Sequence, residues 1–423
     1  MTEQLLQFIW QYRYFNVAEL RTEQGEPVIV ERAGLFNRNQ GPDFLEGAVR
    51  IGGVLLVGNI ELHIRSSDWN RHGHSADTNY RNIILHVVWE HDTEIRSGGL
   101  LLPVLVLQPR VAKLLLHRYY HVMQLPGTIP CRSFLPALAP VEWTGWKERL
   151  LAERLEAKAA HILGRSGSGG LHWEEIAWHQ LAGGFGMRVN AFFLEEVARS
   201  IPLNVLARHR QSIQQLEALL LGQANLLQGR ISGVYAHQLR KEHAFLKAKY
   251  SLATVAGKPH FLRMRPAGFP TIRLAQLAML AYRHAHFFSS LREIKELRDM
   301  RNWLEVEAGE YWNHHYRLGE ESSYQVKGLG SAMADTILIN AVVPVLFAYG
   351  WHQQDAAVKE KAIAWLLELP AENNSVTRCW EREGIRSASA MDSQALIQLA
   401  NHYCGEKHCL RCAVGNKILG TVR

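Results

Sequence analysis

A chain of 423 residues in which 47% of side chains are hydrophobic and 21% charged has the material for two or three cores, which excludes both a disordered chain and a single small domain. Its 47 basic and 40 acidic residues leave a net charge of +7, an excess that permits a polyanionic partner without requiring one. Glu3, Gln4 and Gln7 stand where a secretory leader is basic or apolar, and the most apolar later stretch, 332–349, is interrupted by Asp335, Asn340 and Pro344, so a cytoplasmic protein with no membrane span is expected.

Leu5, Leu6, Ile9 and Trp10 recur at spacings of three and four, which predicts a helix over 2–15. Strands are predicted at 27–34, 44–51 and 54–64, the last two closed into a hairpin by Gly52-Gly53. After a polar connection at 65–81 come strands at 82–90 and 99–108, where Pro103 predicts an edge position or a bulge. From about residue 110 the periodicity turns helical, with helices predicted at 146–163, 212–227, 235–252 and 272–291. Four prolines make 126–140 read as a linker, and 165–170 reads as an exposed loop. The fold class is therefore α+β. A sheet-bearing domain is expected at 1–110, a helix and Pro-rich linker at 111–140, a helical domain at 141–370 and a Cys-bearing helical segment at 371–423.

Asp43 lies at the entrance of one strand and Glu61 near the far end of its hairpin partner, so antiparallel pairing brings both carboxylates to one rim. His63, two residues on, projects from the face of Glu61. Two carboxylates on a rigid hairpin suit Mg²⁺ or Mn²⁺, which polarises a phosphodiester and activates water. The following connection adds Asp68, Trp69, His72, His74, Asp77 and Tyr80. His74 and His72 either join the site or are surface residues among the 21 histidines.

Pro42-Asp43 before one strand and Glu61-Leu62-His63 on the next resemble the PD-(D/E)XK nuclease superfamily, whose core runs helix, three strands, helix, strand. The resemblance implies a restriction-endonuclease-like mixed sheet, Asp43 and Glu61 as metal ligands, His63 at the lysine position, and Glu3 as the first-helix glutamate with Glu19 in reserve. It also implies a metal-dependent nuclease acting on DNA or RNA. Because an imidazole is not the permanent charge that lysine is, the alternative is a module that no longer cleaves and binds nucleic acid or a protein partner. Over nearly its whole length, in runs at 35–92, 261–278 and 403–415, the chain is also similar to a family of bacterial proteins of unknown function, met mainly in Bacteroidetes.

Three of the five cysteines fall in the last 20 residues as C-x4-C-x2-C: Cys404, Cys409 and Cys412. With Cys379 as a fourth thiolate, or His402 or His408 instead, they suit tetrahedral Zn²⁺; the same spacing also serves iron–sulfur clusters. Zn²⁺ is the expectation, with reduced buried thiols the plain alternative. Arg263, Arg265 and Arg273, together with Lys247 on a helix before them, make either a phosphate grip or a solvated face. The aromatic run 311–317 lines a ligand groove or packs a core.

Overall fold

The Thr2 hydroxyl accepts the Leu5 N–H at 3.3 Å and opens α1 (Glu3–Gln11), which buries Leu5, Leu6, Phe8, Ile9 and Trp10. The helix stops short of the predicted residue 15 because Arg13 turns into the left-handed region at φ 52°. In the computed structural model, which describes residues 1–37, 39–135, 138–165, 170–262 and 264–420, five strands form one path. They are β1 (Val28–Arg32), β3 (Phe44–Ile51), β4 (Val54–Arg65), β5 (Ile83–Glu90) and β6 (Val104–Val106), with the short β2 (Leu35–Phe36) also pairing β3.

The sheet is mixed. β1, β3 and β4 are antiparallel, and Gly52 and Gly53, at φ 55° and 89°, make the tight turn that sets Ile51 opposite Val54. β4 and β5 are parallel, so the chain must cross over between them. The polar connection does this with α2 (Asp68–Arg71) and two short turns, His74–Ala76 and Thr78–Tyr80. β6 is the edge strand that Pro103 predicts, and the Pro103 carbonyl accepts the His86 N–H at 2.9 Å. At Gly58 a Cβ would meet Ile84 Cγ2 at 2.5 Å and the Asn82 carbonyl at 2.7 Å, so glycine is what lets β4 and β5 approach there.

The chain divides into two units, Met1–Trp143 with Leu399–Arg423, and Thr144–Gln398. These boundaries differ from those expected at 110, 140 and 370, for a packing reason. Leu115 and Tyr119 of α3 (Lys113–Gln124) and Leu419 of the helix Ala413–Gly420 fill the same core as Phe44, Ile60, Leu62 and Val87. The expected linker is likewise built in, with Ile129 and Cys131 buried; residues 136–137 lie outside the description.

In the second unit, α4 (Pro140–Gly164), α5 (Trp173–Arg199), α6 (Leu203–His209), α7 (Ile213–Gln223), α8 (Val234–Tyr250) and α9 (Pro270–Arg283) contribute to one apolar core with the helices that follow. The helix predicted over 272–291 is two, because His284 and His286 adopt extended backbone before Phe287–Glu293. Ser331–His352 is long and apolar enough to cross a membrane by length and composition, and 72% of its apolar window is buried inside the fold. Within the same core the Glu217 carboxylate accepts Trp312 Nε1–H at 3.0 Å and Tyr235 Oη–H at 2.8 Å. This assigns the aromatic run at 311–317 largely to packing.

Candidate metal centre

The alternation of a strand decides what β4 presents. Ile60 and Leu62 enter the apolar core beside α1, while Glu61 and His63 project to the opposite face. That face is not left to solvent. The crossover covers it with Trp69 and Tyr80, so Glu61 is 5% exposed and His63 1%.

Asp43 and Glu61 lock to each other's strand. The Asp43 N–H donates to Glu61 Oε2 at 3.0 Å, and the Leu62 N–H donates to Asp43 Oδ2 at 3.1 Å. Gln7 on α1 donates from Nε2 to Asp43 Oδ1 at 2.8 Å, and Glu3, one turn earlier, adds a third carboxylate. Burial pushes both the Asp43 and the Glu61 carboxyls up from the usual range, and neighbouring negative charge pushes them further, from Glu3 on Asp43 and from Asp43 and Glu3 on Glu61. Burial likewise raises Glu3. Among the described residues neither Asp43 nor Glu61 is paired with lysine or arginine. Glu61 Oε1 instead faces His74 Nε2 at 3.4 Å and His63 Nε2 at 3.6 Å.

Those imidazoles belong to an array. His63 Nδ1 meets His86 Nε2 at 2.8 Å, and His63 Nε2 meets His72 Nδ1 at 3.2 Å. One ligand atom from each of His63, His72 and His74 lies within 4.8 Å of the other two. Burial, and then His74 and His72, push the His63 pKa down to about 3; burial also lowers His74, and lowers His86 well below the ordinary value. At neutral pH these rings are uncharged and offer lone pairs. His74 is held by stacking on Tyr80 at 3.8 Å between ring centroids, and its Nε2 makes no hydrogen bond. Trp69 fixes the crossover by donating Nε1–H to Ser75 Oγ at 2.9 Å.

The donor set fits a divalent cation. A buried and a half-buried carboxylate that repel each other, with no basic side chain between them, are stabilised by positive charge, and imidazole nitrogens share the same space. With the His63 and His72 lone pairs turned to an ion, the proton of His63 sits on Nδ1 and is donated to His86 Nε2, the usual way a ligand imidazole is oriented from behind.

Asp43, Glu61, His63, His74 and Glu3 are thus brought together, whereas Glu19 is exposed at φ 50°, with its carbonyl held by Arg110. Sequence reasoning missed Gln7 and His86. Gln7 carries a signal, lying four residues after Glu3 and so on its helix face. His86 is the one polar residue inside the apolar run of β5, opposite Glu61 in register.

The cysteines converge in a different combination. Cys404, Cys409 and Cys412 line one small cleft together with Cys131 from the expected linker. Cys379 lies in the second unit, where its thiol accepts from Arg382 at 3.2 Å. His402 and His408 do not line the cleft; each faces Glu406, and His408 Nδ1 lies 2.9 Å from the His402 carbonyl. Of the proposed phosphate grip, Arg263 lies outside the described residues. Arg265 is exposed, Lys247 donates to Thr254 Oγ1 at 2.7 Å, and Arg273 is buried and donates to Gln276 Oε1 at 2.9 Å. Burial lowers the Arg273 pKa to about 10, so this side chain serves the core rather than a surface grip.

A family model described as protein of unknown function (DUF2851) matches residues 3–375. The chain belongs to this family. No curated protein and no solved structure matches it. The DUF2851 match takes in the whole carboxylate–imidazole cluster and Cys131, and ends before Cys404, Cys409 and Cys412.

Proposed function

We propose that the protein is a divalent-metal-dependent phosphodiester hydrolase of the nuclease type, acting on DNA or RNA. The observation that carries this reading is the reciprocal locking of the Asp43 and Glu61 carboxylates across adjacent strands, without a basic partner, beside three converging imidazoles. The order α1, antiparallel β1, β3 and β4, crossover α2 and parallel β5 supports a PD-(D/E)XK-like core. Asp43 and Glu61 would hold the ion, with His63, His72 and His74 available to complete its shell. The ion supplies the polarised phosphoryl oxygen and the acidified water of this chemistry. Wherever it is not itself a ligand, His74, lowered in pKa by burial and 3.4 Å from Glu61, would take the proton of the attacking water.

The test is cleavage of single- and double-stranded DNA and of RNA in Mn²⁺ or Mg²⁺. Asp43→Asn and Glu61→Gln are expected to lower the rate by roughly a hundredfold or more with unchanged circular dichroism. A wild-type protein that binds neither ion and cuts none of these substrates ends the proposal. One observation favours the second reading, a non-cleaving module that binds nucleic acid or a protein partner: His63, at the superfamily's lysine position, has both ring nitrogens engaged by other histidines. Cleavage that appears only in His63→Lys decides for it.

A further inference from the structure

The cleft formed by Cys131, Cys404, Cys409 and Cys412 lies outside the carboxylate–imidazole site and has its own chemistry. Four thiols from two distant parts of the chain, none of them in a disulfide, face one space, closed on its other sides by apolar groups such as Tyr119, Val122 and Ile418. Cys412 immediately precedes the helix Ala413–Gly420, and the main-chain N–H groups of Val414 and Gly415 donate to its sulfur. They partly offset burial, which as the larger effect pushes the Cys412 thiol up to about 11, and N–H···S bonds of this kind belong to the surroundings of metal-bound cysteine. Gly415 is needed for this approach, since a Cβ there would meet the Cys409 carbonyl at 2.1 Å.

Four converging thiols, none of them in a disulfide, have two ordinary uses, a single zinc ion or an iron–sulfur cluster. Zinc–sulfur bonds of about 2.3 Å in a tetrahedron bring the sulfurs to about 3.8 Å from one another. Among the described residues the set whose ligand atoms close to within 4.8 Å is His63, His72 and His74, and the cysteines form no such set. A cluster needs wider thiols because its own irons and sulfides stand between them. The C-x4-C-x2-C run with a fourth cysteine far away in sequence is also a spacing that holds such clusters.

We propose that Cys131, Cys404, Cys409 and Cys412 ligate an iron–sulfur cluster that fastens the segment Leu399–Gly420 to the sheet-bearing unit. Cys131 takes the place that sequence spacing had given to Cys379. The full-length protein, produced with iron supplied and purified without oxygen, is assayed for iron, acid-labile sulfide and zinc, and its visible spectrum is recorded. The expected result is about two or four irons per chain with matching sulfide and a broad visible absorption. Cys131→Ser and Cys409→Ser are expected to lose most of the iron and sulfide, while Cys379→Ser keeps wild-type content. The wild-type measurement is decisive even if a variant fails to fold. Stoichiometric zinc without sulfide overturns the cluster, absence of any bound metal overturns the site, and full iron in Cys131→Ser with loss in Cys379→Ser overturns the ligand set.

Discussion

Replacing Asp43 by asparagine should make the metal-free protein more stable and the metal-dependent one inert. The amide keeps the shape of the site: its oxygen accepts the Leu62 N–H, and the Gln7 amide turns to accept from its nitrogen. What goes is one of three neighbouring carboxylates, two of them held strand to strand. Two like charges about 4 Å apart repel by about 4 kcal/mol at an effective dielectric of about 20. Asp43 keeps some solvent contact and the asparagine must itself be desolvated, which leaves a gain of roughly 1–2 kcal/mol. The sign follows from the raised carboxyls. A folded pKa above the unfolded one contributes stability at low pH and loses it as pH rises through the folded value, so the gain from Asp43→Asn is small at pH 5 and grows as pH rises through about 7 towards about 9. At about 2–4 °C per kcal/mol for a unit of this size, Tm in EDTA should rise by about 2–8 °C at pH 8. Mn²⁺ at a hundredfold its Kd should stabilise the wild type by about 2.7 kcal/mol and Asp43→Asn by much less. If Asp43→Asn lowers the Tm in EDTA, or if Mn²⁺ raises its Tm as much as it raises that of the wild type, Asp43 is a structural residue and the reasoning fails.

Imidazole nitrogens favour transition ions over Mg²⁺, so cleavage should be roughly tenfold faster in Mn²⁺ than in Mg²⁺, and His74→Ala should narrow the difference; equal rates in both ions for both proteins would argue that the imidazoles stay outside the coordination shell. In the second unit, burial raises the Glu217 pKa to about 7 against 4.5, so its contribution is full below pH 4.5 and lost as pH rises through about 7. Glu217→Gln should therefore gain up to about 3 kcal/mol on the wild type between pH 5 and 8.5, read from urea midpoints, and parallel pH profiles would contradict it. Gly58→Ala forces a Cβ against Ile84 and the Asn82 carbonyl, and should cost roughly 1–3 kcal/mol and raise amide exchange along β5; an unchanged Tm and exchange pattern would refute the close contact.

The site was readable where its chemistry is local. Glu61 and His63 alternate with Ile60 and Leu62 within one strand, and the Gly52-Gly53 turn fixes which residues of β3 they face, so the carboxylate pair followed from spacing. His86 did not, because its link to His63 crosses between parallel strands, and a run such as 83–90 reads the same whether its neighbour is parallel or antiparallel. Cys131 was hidden for a stronger reason: its three companions enter the first unit only through the return of residues 399–420, which no local pattern records. Helical periodicity likewise ran straight through 272–291, since Phe287, Phe288 and Leu291 keep the apolar rhythm across the extended His284–His286 link. Of the aromatic run at 311–317, Trp312 enters the core, where buried Glu217 supplies its partner, and Tyr311 and Tyr316 pack against that core.

The return of the C-terminal segment bears on biogenesis. The sheet, its crossover and α3 leave the ribosome well before the helix that brings Leu419 into their core, which emerges only after all of Thr144–Gln398 has been made. Until then the groove beside Leu115 and Tyr119 is open, and a nascent chain holds Cys131 without its three companions. Completion of the unit therefore waits on the synthesis of residues 399–420, and a ribosome-stalled chain ending near residue 395 should be digested by protease within its first 143 residues far faster than a chain that includes them.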